Sequence, residues 1–156
     1  MTPIAERIAG VPPFARLTLA ELALIADTAS EVHYRAGERL FATGEQARSC
    51  WIIHSGLVEL TTVVPGRGDV VIQTVGRGDL VGWSWLVPPY RWHFDATALE
   101  NTAGFRLDAA RLRAIAEQDP AFGYTMSLAL FEVLLHRLQG TRARLLDLYQ
   151  NPGGTS

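Results

Sequence analysis

Lysine is absent: all fourteen basic side chains in the 156 residues are arginines, set against sixteen acidic ones for a formal charge of −2. Arginine-only usage fits a GC-rich coding sequence. The lack of a basic excess argues against sequence-independent nucleic-acid binding, which runs on counterion release. Cysteine is nearly absent too. Cys50 stands alone, which excludes an internal disulfide framework, a Cys-rich zinc site and an iron–sulfur sensor, and suits a reducing cytoplasm. No apolar run approaches the roughly 18 residues of a membrane-spanning helix. The N-terminal stretch already contains Glu6, Arg7, Arg16 and Glu21, so neither a membrane span nor a secretion signal is expected. The four histidines, His33, His54, His93 and His136, fall on separate segments without an His-x-His pair or other ligand spacing, so no metal site is assigned. What remains is 48% hydrophobic and 19% charged. That composition suits one domain of ordinary size, able to bury a core unaided and expected in the cytoplasm.

The chain opens with helical signals. Pro3 to Ile8 fits a short helix stopped by Gly10 and the Val11-Pro12-Pro13 break. Thr18-Leu19-Ala20-Glu21 has capping-box spacing, and Leu19, Leu22, Ala23 and Ile25 carry an apolar stripe to about Asp27. From Glu31 to about Leu107 the pattern changes to short runs rich in Val, Ile, Leu and aromatics, punctuated by glycine. This predicts a compact antiparallel sandwich or barrel. Cys50-Trp51-Ile52-Ile53, Leu57-Val58-Glu59-Leu60 and Val70-Val71-Ile72-Gln73 are strand candidates, with a hairpin loop over Pro65-Gly66-Arg67-Gly68-Asp69.

Helical spacing returns after Leu107. Asp108 can cap a helix over Ala109–Glu117, with Leu112 and Ile115 inward. Asp119-Pro120 starts a long helix running to about Tyr149, with proline at its first position. Two stripes run along it. Phe122, Met126, Ala129 and Val133 face the strands. Phe131, Leu134, Leu138, Thr141, Leu145 and Leu148 form a seam that suits a second copy across a two-fold axis, or else a wide core face of one chain. There is no internal repeat and no interdomain linker.

Three segments carry a resemblance to a known family: Tyr34-Arg35-Ala36-Gly37-Glu38-Arg39-Leu40-Phe41 with Gly44-Glu45, then Trp51 to Leu60, then Val75-Gly76-Arg77-Gly78-Asp79-Leu80-Val81-Gly82. Arg137-Leu138-Gln139-Gly140-Thr141 adds a fourth. Their order and spacing resemble the cyclic nucleotide-binding domain, most closely the effector domain of catabolite-activator and fumarate-nitrate-regulator type factors, over about residues 12 to 149. The resemblance implies an α+β fold: a β-roll of jelly-roll or double-stranded β-helix type, wrapped by N-terminal helices and a long C-terminal dimerisation helix. It makes residues 1–150 one domain, with 151–156 a flexible tail. The seven residues after Tyr149 are too few for the helix-turn-helix domain of full-length regulators, so no direct DNA binding is expected.

In that family a phosphate-binding cassette follows the Gly-Asp-Leu-x-Gly turn. A Glu directly after the last glycine holds the ribose, and an Arg about ten residues later pairs with the cyclic phosphate. Here Trp83 stands where the Glu belongs, and an indole N–H can donate but not accept. Counting back from Ala98-Leu99-Glu100 puts Trp92 at the Arg position. Arg91 is one residue early, which on a strand turns it to the opposite face unless a bulge intervenes. Asp95 would repel a phosphate or neutralise Arg91. Each lost charge-assisted contact costs on the order of 2–3 kcal/mol. Cyclic AMP or cyclic GMP, the ligand the resemblance admits, is therefore disfavoured by Trp83 and Trp92, and no cofactor is assigned.

Five aromatics replace those contacts: Trp83, Trp85, Tyr90, Trp92 and Phe94. Either they remodel the pocket for a flat or apolar ligand, with Gly82, Trp83, Ser84, Arg91, Trp92, His93 and Thr141 as candidate binding residues, or they fill it themselves. Ser84 lacks a base or an elbow motif, and no catalytic residue is assigned. The expected function is a stand-alone, non-catalytic regulatory or sensor module, homodimeric through residues 120–149 and signalling to a partner protein. A small-molecule receptor with an altered pocket and a ligand-free scaffold are the alternatives.

Overall fold

The computed structural model describes residues 3–150, with the side chains at 144, 145 and 148–150 excepted. Residues 151–156, expected as a tail, lie outside the described residues. Helix α1 (Pro3–Ala9) leads through a 3-10 turn (Pro12–Arg16) into α2 (Leu19–Asp27). The capping box at the start of α2 is complete: Thr18 Oγ1 accepts from the Glu21 N–H at 3.1 Å, and Glu21 Oε1 accepts from the Thr18 N–H at 3.0 Å. Ile8, Phe14, Leu22 and Ile25 bury the inner side of this helical unit.

Eight strands follow: β1 (Ala29–Tyr34), β2 (Arg39–Phe41), β3 (Ser49–Ser55), β4 (Val58–Val64), β5 (Gly68–Val75), β6 (Leu80–Val81), β7 (Asp95–Ala98) and β8 (Thr102–Asp108). They form two antiparallel sheets of four, ordered β1-β8-β3-β6 and β2-β7-β4-β5. Both sheets contribute to one core through residues such as Ile52 and Phe105 on the first and Leu60 and Ala96 on the second. The fold is the α+β β-roll. Strand β3 buries Cys50, Trp51, Ile52 and Ile53 in succession, as a strand covered on both faces requires. The loop expected over Pro65–Asp69 is shorter than the composition suggested, because Gly68 and Asp69 already pair with Val64 and Val63 in the β4–β5 ladder.

Asp108 caps α3 (Ala109–Gln118), its carboxylate accepting from the Arg111 N–H at 3.1 Å. Helix α4 (Pro120–Gln150) begins with the Asp119 side chain accepting from the Phe122 N–H. Phe122, Met126, Ala129 and Leu130 are buried. The helix packs chiefly against α3 and the Pro12–Arg16 turn rather than the strands. Among the described residues, the second stripe does not join the chain's own core. Phe131 is 59% exposed, Leu134 36% and Leu138 65%. Thr141 is also exposed and donates back to the Arg137 carbonyl at 3.0 Å. The side chains of Leu145 and Leu148 lie outside the described residues. Among the described residues no helix is long and apolar enough to cross a membrane.

Candidate functional site

The cassette runs from Gly82, at the end of β6, to Phe94, just before β7. Its second half lies antiparallel to residues 44–47: Ala47 donates to the Tyr90 carbonyl, Trp92 donates to the Glu45 carbonyl, and Gly44 donates to the Trp92 carbonyl, all at 2.7–3.0 Å. Extended backbone sends successive side chains to opposite sides. Arg91 and His93 therefore face solvent and Trp92 faces the core. The extra residue in this pairing is on the partner segment, where Gly44 and Glu45 both bond to Trp92, so Arg91 stays outward and its Nη1 donates to the Gly44 carbonyl at 2.8 Å. Asp95 does not pair with Arg91. It accepts from the Thr43 N–H at 2.7 Å and from the Thr43 hydroxyl at 3.0 Å.

Trp92 is 3% exposed. Its ring stacks on Phe41 with centroids 3.9 Å apart and planes 17° apart, and Trp51 lies 6.0 Å from it. The tip of the indole sits against Gly82, where a Cβ would come within 2.7 Å of it. Gly82 has φ +95°, so the position needs glycine both for its backbone and for the indole beside it. Trp85 is fully buried and donates its Nε1–H to the Gly82 carbonyl at 3.2 Å. Ser84, buried at the start of a 3-10 turn (Ser84–Leu86), offers no nucleophile to solvent. Trp51 closes the far side of the aromatic cluster by donating to the Tyr34 hydroxyl at 3.0 Å.

Two arginines from the C-terminal helices hold the cassette. From α3, Arg113 lies 4.0 Å over the Tyr90 ring and donates to the Trp85 carbonyl at 2.8 Å. From α4, Arg137 lies 4.8 Å over the Trp83 ring and donates to the Leu80 carbonyl. Cation–π contacts of this kind strengthen as they are desolvated. Burial holds the Arg137 guanidinium below its ordinary pKa, partly offset by the field of Asp79. Trp83 also meets Phe94 in a T-shaped contact, with centroids 5.6 Å apart.

The structure brings together Gly82, Trp83, Ser84 and Trp92 from the sequence-derived set. It leaves Arg91 and His93 on the outer face and Thr141 one turn beyond Arg137. Phe41, Trp51, Arg113 and Arg137 complete the cluster and were not singled out as site residues. Arg137 had a signal in the Arg137-Leu138-Gln139 motif; Arg113 had none. Burial of the Cys50 thiol in β3 pushes its pKa well above the ordinary thiol range, which makes it an inert core residue. Among the described residues no three of His, Cys, Asp and Glu gather as metal ligands.

This arrangement, a glycine turn, a cassette closed by a 3-10 turn, and a long helix laid against it, was compared with known proteins. The family model of the cyclic nucleotide-binding domain matches residues 31–119. The chain belongs to that family. A curated relative, the cAMP-dependent protein kinase regulatory subunit of Mycosarcoma maydis, is 32% identical over 112 residues. That match covers 72% of this chain but only 20% of the relative's length. Among solved structures, a candidate cyclic nucleotide-binding protein from Geobacter metallireducens superposes with TM-score 0.80 at 27% identity, covering 88% of this chain and 99% of that one. The N-terminal domain of a transcriptional regulator from Streptomyces coelicolor gives TM-score 0.64 at 25% identity, covering 86% and 91%. As a member of the cyclic nucleotide-binding domain family, the chain carries two indoles in this cassette, Trp83 under Arg137 and Trp92 in the core, with Arg91 on the outer face.

Proposed function

We propose that this chain is a non-catalytic regulatory module of the cyclic nucleotide-binding fold in which Trp92 takes the place of a ligand. It would act through contacts with a second copy along α4 and with a partner protein. The observation that carries this reading is the Trp92 indole, stacked on Phe41 and seated against Gly82. The regulatory role is taken over from the kinase regulatory subunit it is similar to, and the dimer from the exposed Phe131 and Leu138 on α4. Arg137 and Leu138 are neighbours on that helix. One grips the cassette and the other belongs to the exposed stripe, so a shift of the cassette would be felt along the stripe.

A cyclic nucleotide would have to expel Trp92 before binding. Removing a buried tryptophan side chain from its packing costs about 3–5 kcal/mol. At 1.4 kcal/mol per decade this would weaken a micromolar ligand by about two to three and a half orders of magnitude. Calorimetric titration of the purified chain with cyclic AMP and cyclic GMP is expected to give no saturable heat below about 100 μM nucleotide. Micromolar binding of either nucleotide would overturn the proposal and favour a receptor with a rearranged cassette.

A further inference from the structure

A groove of about 950 Å³ lies between the Pro12–Arg16 turn, β5, the turn into β6, and α4, and shares only Arg137 with the aromatic cluster. That is the size of a cavity for a small organic ligand. Its apolar wall is Val11, Pro12, Pro13 and Val133, and its polar groups include Arg77, Asp79, Glu132 and Arg137. None of Trp83, Arg91 and Trp92 lines it.

The charges in the groove are unequally spent. Asp79 accepts from the Gly76 N–H at 2.8 Å within its own turn, and Glu132 is paired with Arg16. The basic groups retain free donors. Arg77 is exposed and has no hydrogen-bond or ion-pair partner among the described residues. Arg137 spends Nη2 on the Leu80 carbonyl, while its Nη1 is buried without any partner. A buried cationic donor without an acceptor is costly, and an incoming oxyanion relieves that cost with a charge-assisted bond. Arg16, outside the lining, neutralises Glu132, so Arg77 and Arg137 against Asp79 leave one positive charge in excess at the groove. A ligand with a single negative charge balances it.

We propose that this groove binds a small organic acid, one carboxylate on an apolar body, with the carboxylate taken by Arg77 and Arg137 and the body laid against Val11, the two prolines and Val133. The site is independent of the Trp92 reading. Because the Arg137 guanidinium also rests on Trp83, occupancy changes the surroundings of that indole.

The test uses the full chain with octanoate, octanol and octyl phosphate as probes, by calorimetry and tryptophan fluorescence. Octanoate is expected to saturate the site and shift the fluorescence, and octanol to bind at least about tenfold more weakly, the loss of one charge-assisted contact. Arg77→Gln is expected to weaken octanoate by a similar factor and leave octanol unchanged. Arg77 is exposed on a turn, and an unaltered circular dichroism spectrum verifies that the variant folds. Equal affinity for octanoate and octanol, insensitivity to Arg77→Gln, tighter binding of octyl phosphate, or no binding at millimolar octanoate would each overturn the proposal.

Discussion

Replacing Trp92 with alanine tests whether its indole is a packed part of the core. A tryptophan side chain buries about 150–250 Å², and at about 25 cal/mol per Å² the transfer contribution is roughly 4–6 kcal/mol. A compact unfolded chain already hides part of that area, while the void left beside Phe41 and Trp51 adds a cavity cost. These corrections oppose one another, and the expected loss is about 3–5 kcal/mol. Such a loss is a large share of the roughly 5–15 kcal/mol that holds a domain folded. Equilibrium urea unfolding, followed by far-ultraviolet circular dichroism, would show it as a lower midpoint at nearly unchanged slope. Trp92→Phe keeps the stack on Phe41 and should lose about 1.5 kcal/mol or less, so the series remains readable if alanine prevents folding. The cavity in Trp92→Ala would be walled by rigid aromatic rings and should accept free indole. At a hundredfold excess over its dissociation constant, indole should restore about 2.7 kcal/mol and leave the wild type unaffected. A loss under about 1 kcal/mol, or equal stabilisation of wild type and variant by indole, would refute the reasoning: Trp92 would then not be a packed element of the core.

Two further outcomes are expected. The buried Cys50 thiol keeps its proton in the folded chain, whereas in the unfolded chain it ionises near pH 8.5. Its contribution to stability is therefore fully present below that pH and is lost as pH rises above it, by up to about 1.36 kcal/mol per unit. Comparing urea midpoints of wild type and Cys50→Ala across this range should show the shallower decline in the variant, and parallel curves would contradict it. On α4, Leu138→Glu places a charge where the wild-type leucine is 65% exposed. Sedimentation velocity should show a dimeric wild type and a monomeric variant with an unchanged circular dichroism spectrum, and a wild type that stays monomeric at every micromolar concentration would remove the dimer from the proposal.

How much of this was legible in the sequence follows from the range of the contacts involved. The Thr18–Glu21 box, the Asp108 cap and the proline opening α4 are settled within four residues, and the structure holds each where the local pattern places it. The fold was legible because glycine spacing and the Gly78-Asp79-Leu80-Val81-Gly82 turn sit in an order that few architectures share. The stripe of Phe122, Met126 and Ala129 was correctly read as buried, but its partners are α3 and the N-terminal turn, a choice that depends on where distant elements dock. In the cassette, strand alternation was enough to put Arg91 and Trp92 on opposite faces. It could not say that the indole would meet Phe41, some fifty residues earlier in the chain, nor that Arg113 and Arg137 would lie across Tyr90 and Trp83. The deciding element is the pairing of residues 90–92 with 44–47. Strand alternation makes inward and outward a matter of single-residue register, so the hydrogen bonds that fix this pairing also decide whether a guanidinium or an indole enters the core. With the indole inside, the neighbouring arginine is committed to the Gly44 carbonyl on the surface. The two-sheet fold is thereby closed around an indole, and the guanidinium next to it stays on the outer face.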